Sequence, residues 1–204
     1  MKKKTSIKVM ICFILIGIVL FGFLGYRVYK DFFNNDKVRK QIDSIDFYGY
    51  TLSDKDKDVY KKYFKDLTKT LNQKPIDYSE YAKLISKLFI IDLFTLDNKK
   101  GSTDIGGLEF IHKDLKENFK ENEGATLYKF MENNLNGDRT QKLPVVKDVE
   151  IESITETTYK YKDVDYEGYN VSAKWTYEVD LGYQTSMKLT LIKDKDILYI
   201  VKGE

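Results

Sequence analysis

Residues able to do chemistry are scarce in this 204-residue chain, and Asp92 is the carboxyl that most invites a chemical reading. It sits among Phe89, Ile90, Ile91, Leu93 and Phe94. A carboxyl buried in such a setting loses its hydration, so its pKa rises and it becomes a candidate for proton transfer. The plainer alternative places Asp92 at the solvent edge of a helix or has it cap a neighbouring backbone. His112 is the only histidine, and it follows Ile111 directly on an expected helix. Metal sites and nucleophile–base pairs ordinarily need more than one such residue, so His112 reads as structural. The single cysteine, Cys12, lies in an apolar run, which leaves no thiol for catalysis beyond it and no disulfide within the chain. Gly106-Gly107 belongs to no phosphate-binding loop and reads as a chain break. No metal ligand set, cofactor motif or catalytic residue is assigned.

These residues are positioned by a chain that reads as helices first and strands after. Ser53 with Asp56 three residues on resembles a helix start, and Tyr60, Tyr63, Phe64, Leu67 and Leu71 recur on one helical face. A second helix is expected from Asp77 or Ser79, with a tail from Leu88 to Phe94 that is apolar nearly all round. After a loop at Asp97–Gly107, the spacing of Leu108, Ile111, Leu115 and Phe119 predicts a third helix. Leu127, Phe130 and Met131 predict a short fourth. Beyond Pro144 the period becomes two. Val149 and Ile151, then Tyr159 and Tyr161, then Tyr169 through Val179, then Met187 to Leu191, and finally Ile197 to Val201 give about five strands joined by short turns. Short turns make neighbours antiparallel, and helices segregated from such a sheet make the fold class α+β.

Charge separates the N-terminus from the rest. The first thirty residues carry Lys2, Lys3, Lys4, Lys8, Arg27 and Lys30 with no acid; beyond them 28 basic groups face 32 acidic ones. A mildly acidic, mixed-charge domain is a poor match for nucleic acid. Val9 to Tyr26 is an uncharged run of 18 residues, roughly 27 Å as a helix, close to the thickness of a bilayer core. Bulky residues interrupt every small pair near its end, so a cleavage site is poorly formed; the alternative is a cleaved signal peptide. The four lysines ahead of the run point to a cytoplasmic N-terminus. The expected layout is a cytoplasmic tail at 1–8, a transmembrane helix at 9–30, a connector at 31–50 and an extracytoplasmic domain at 51–204.

The element order over roughly 50–204 resembles the NTF2-like superfamily, in which a curved antiparallel sheet wraps around helices that come early in the chain. With one span in front, the layout is similar to membrane-anchored assembly components of type IV secretion and conjugation systems. It is also similar to the small NTF2-like domain that precedes the catalytic parts of some penicillin-binding proteins. The resemblance implies a cone formed by three to four helices on the sheet. Some NTF2-like enzymes place an Asp base and a Tyr acid in that cone, which would make Asp92, Trp175 and Tyr177 the ligand-pocket candidates. Two readings follow. One is a single-pass cell-membrane protein whose outer domain binds protein partners in the cell envelope. The other is a small-molecule or isomerase-like pocket domain.

Overall fold

The computed structural model describes residues 40–204 and, before them, Gly22 alone. The tail, the expected span apart from Gly22, and most of the expected connector lie outside the described residues. Among the described residues no helix is long and apolar enough to cross a membrane. Lys40–Glu204 forms one compact unit.

The fold is α+β. Its first element is a hairpin of β1 (Gln41–Ile45) and β2 (Tyr50–Ser53), closed by a turn in which Gly49 adopts a positive φ of 72°. On β2, Tyr50 and Leu52 are buried while Thr51 is exposed, the period of a strand laid on a core. The connector expected at 31–50 therefore ends in folded structure. The Ser53 helix start is also corrected. Ser53 is still paired with Gln41, and its N–H donates to the Asp56 carboxylate at 2.7 Å, so the chain turns before α1 (Asp58–Leu71) begins.

Tyr60, Tyr63, Phe64, Leu67 and Leu71 form the buried face of α1, as their spacing predicts. Helix α2 (Tyr78–Phe94) is capped by Asp77, whose carboxylate accepts from the Glu80 N–H at 3.0 Å. It is buried along nearly its whole length and packs against α1 and the sheet. The expected third helix is broken. One-turn 3₁₀ helices at Leu108–Phe110 and Lys113–Leu115 flank an extended Ile111–His112, and α3 starts only at Lys116 and runs to Ala125. Sheet pairing overrides helical spacing here: Ile111 bridges Ile200 in parallel, and the His112 N–H donates to the Ile200 carbonyl. The expected fourth helix is a set of turns, with Tyr128 buried and Phe130 79% exposed.

The main sheet has four antiparallel strands in the order β3-β4-β5-β6: β3 (Val146–Tyr161), β4 (Val164–Tyr177), β5 (Ser186–Asp194) and β6 (Ile197–Gly203). Two stretches expected as separate strands, around Val149 and around Tyr159, are one long β3 with a register shift between Ile151 and Ser153. A two-residue turn of Lys162 and Asp163, both at positive φ, joins β3 to β4, matching the twist of a tight hairpin. Of the expected stripe on β4, Val171, Ala173 and Trp175 are buried and Tyr169 and Tyr177 are half-buried. Val179 lies past the strand and is exposed.

Candidate functional site

Between α3 and the edge of the sheet lies a half-open cavity of about 580 Å³. Its wall takes Phe89, Leu93 and Phe94 from α2, Leu115 and Phe119 from the α3 segment, Met187 from β5, and Ile200 and Val201 from β6. The broken third helix borders this space with Ile111, Leu115 and Phe119. Ile111–His112 holds the β6 edge at Ile200, and the chain then swings away into α3. The rim carries Asn118, Asn122, Glu123, Thr126, Gln184, Lys202 and Glu204. Among the described residues its only hydroxyl, on Thr126, donates to the Asn122 carbonyl, and the wall holds no cysteine, serine, histidine or tyrosine. An apolar chamber with a few polar groups at its mouth is built to hold a ligand. Among the described residues the wall pairs no nucleophile with a base.

Neither Trp175 nor Tyr177 lines this cavity. Trp175 is buried and packs on Phe94 with ring centroids 4.6 Å apart. The Tyr177 hydroxyl donates to the carbonyl of Gln184 at 2.7 Å, and burial pushes it up to about 12. Asp92 does not line the cavity. It lies two residues from Phe94, about 200° round the helix. Its carboxylate pairs with the buried ammonium of Lys99 and accepts from the Gly107 N–H at 2.6 Å. The structure thus gives Asp92 a backbone-capping role and does not bring the three candidates together.

That cap explains the two glycines beside it. A side chain at Gly106 would come within 2.1 Å of the Asp92 carbonyl oxygen. Gly107 has a φ of 76°, and a side chain there would run into the Phe89 ring at 2.7 Å. Tyr128 completes the junction by accepting from the Gly106 N–H and donating to the Leu93 carbonyl.

A second polar cluster escapes sequence reasoning. Glu109 accepts from the Tyr60 hydroxyl at 2.9 Å, from the Thr51 N–H at 3.1 Å and from the Thr51 hydroxyl at 3.0 Å. Burial, opposed by these hydrogen bonds but reinforced by the nearby Asp92 charge, pushes its carboxyl up to about 7. The cluster ties the hairpin and α1 to the loop that precedes α3. Close by, the Tyr50 and Tyr81 hydroxyls meet at 2.6 Å and satisfy the outer edge of β6: Tyr50 donates to the Leu198 carbonyl, and Tyr81 accepts from its N–H. His112 is buried between the rings of Tyr161 and Tyr199, its Nδ1 3.4 Å from the Asp114 N–H, and burial holds it below the usual histidine range. Among the described residues no group of three or more His, Cys, Asp or Glu side chains is placed to hold a metal ion. No spacing in the sequence distinguishes Glu109 or Lys99 from ordinary surface residues.

No family model, no curated protein and no solved structure matches this chain.

Proposed function

We propose that this protein is a single-pass membrane protein whose outer domain, of NTF2-like architecture, binds an apolar segment of a protein partner in the cell envelope. The observation that carries the reading is the half-open apolar cavity beside β6, with a polar rim. The anchor rests on the uncharged run from Val9 to Tyr26 and the lysines ahead of it. The NTF2-like assignment rests on the order of helices and sheet. A subunit of a cell-envelope or secretion complex fits both.

A second reading, a small apolar ligand, is favoured by the cavity volume, which falls within the roughly 300–1,000 Å³ of small-molecule sites. An isomerase-like variant of it would need an acid and a base on the wall. Asp92 and Tyr177 are committed elsewhere.

Photocrosslinking separates the two. A benzophenone side chain is introduced at Leu127, on the cavity wall, or at exposed Lys65 on α1, in the full-length protein in intact cells. The partner reading expects a discrete protein adduct from position 127 and none from position 65. Absence of any adduct at 127, or equal adducts at both, refutes it.

A further inference from the structure

The polar side chains at the mouth of the cavity are almost all committed. Asn122 donates to Asn118 at 2.7 Å, and Thr126 donates to the Asn122 carbonyl. Gln184 donates to the Ser186 carbonyl at 2.6 Å, and Lys202 pairs with Glu204 at 2.6 Å. Glu123 is different. It lines the cavity from the last turn of α3 and is half-buried, yet its carboxyl makes no hydrogen bond or ion pair among the described residues. Burial alone shifts it, upward, as expected of a carboxyl with nothing to offset its lost hydration.

An uncompensated carboxyl beside an apolar chamber calls for a positive hydrogen-bond donor on whatever enters. We infer that Glu123 sets the specificity of the cavity, and that its occupant is an apolar segment of a partner protein carrying a lysine whose ammonium meets the Glu123 carboxylate. The inference rests on the cavity being a binding site. Lys202 does not offset the preference, because Glu204 already neutralises it. An acidic occupant would meet Glu123 and Glu204 with only one cation between them. An ammonium on an apolar stem suits the geometry, since its methylenes lie along the wall while its head stays at the rim.

The test uses the full-length protein in maltoside micelles. Its single tryptophan, Trp175, packs on Phe94 of the cavity wall and reports occupancy by fluorescence. The probes are acetyl-Phe-Lys-Leu-amide, its norleucine and glutamate counterparts, and 4-phenylbutylamine as a free amine. The lysine peptide is expected to bind about tenfold more tightly than the norleucine peptide, the worth of a partly buried charge-assisted hydrogen bond. The glutamate peptide is expected to bind weakest. Glu123→Gln is expected to bring the lysine and norleucine peptides level. Equal binding of lysine and norleucine peptides to the wild type, or a lysine preference that survives Glu123→Gln, overturns the role of Glu123. Binding of 4-phenylbutylamine while none of the peptides binds overturns the protein segment as occupant. Failure of every probe, the norleucine peptide included, removes the cavity as a binding site.

Discussion

Glu109→Gln tests how the hairpin is held to the rest of the domain. The wild-type carboxyl is pushed up to about 7 from an ordinary 4.5, mainly by burial. A raised carboxyl pKa means that the folded state binds the proton more tightly than the unfolded state. Its contribution is then fully present below about pH 4.5 and is lost as pH rises through 7. The difference of about 2.5 pH units corresponds to roughly 3 kcal/mol, or about 300-fold in the folding equilibrium. Glutamine keeps an acceptor oxygen for Tyr60 or Thr51 but cannot titrate. Denaturation in urea, followed by Trp175 emission between pH 4.5 and 8, gives both stabilities. Other titrating groups, including Asp148, which is held below its usual range, are shared by the two proteins and cancel in the difference. Glu109→Gln should gain about 3 kcal/mol relative to wild type across that interval, whatever the offset at its acid end. A stability difference that stays flat with pH would refute the burial argument for Glu109.

Three further outcomes are expected. Lys99→Met removes the buried cation that faces Asp92 and should cost about 3–5 kcal/mol, with much of the loss recovered in the double variant Asp92→Leu/Lys99→Met, as urea titration will show. Gly106→Ala should destabilise by about 1–3 kcal/mol or more, because the new methyl meets the Asp92 backbone. By contrast, Gly124→Ala in α3, where the nearest atom is an ordinary 3.6 Å away, should gain about 0.5 kcal/mol, and thermal melts separate the two. Finally, Lys65→Cys in a Cys12→Ser background should react with a membrane-impermeant maleimide in intact cells if the domain is outside. Labelling only after lysis would contradict that orientation.

Elements whose burial is one-sided and continuous were legible in the sequence. The α1 face and the buried stripe Val171–Ala173–Trp175 are such cases, because each repeats one period over several turns or pleats and no competing partner interferes. Legibility failed where a distant partner decided the local form. Leu108, Ile111, Leu115 and Phe119 have helical spacing, but the β6 edge offers Ile111–His112 a better place for their backbone groups, and a helix cannot accept that pairing. The hairpin at 41–53 is not legible for a related reason. Tyr50 and Leu52 alternate over only four residues, too short a pattern to separate from a polar connector before Tyr81 and Phe110 are known to receive Tyr50.

Asp92 shows why composition around a residue is a weaker guide than the direction of its side chain. Its apolar neighbours in sequence are a consequence of a helix buried on nearly every side, so any polar residue there had to find partners, and the sequence does not say which. Those partners, Lys99 and Gly107, lie in a loop whose Gly, Asn and Ser content reads as solvent-exposed. Glu123 is the converse. Its neighbours Asn122 and Gly124 suggest an open surface, and nothing in their spacing marks a cavity, because the apolar wall it faces comes from α2, β5 and β6. Both carboxyls are half-buried: the one with partners holds the fold together, and the one that makes none among the described residues is left to select what the cavity admits.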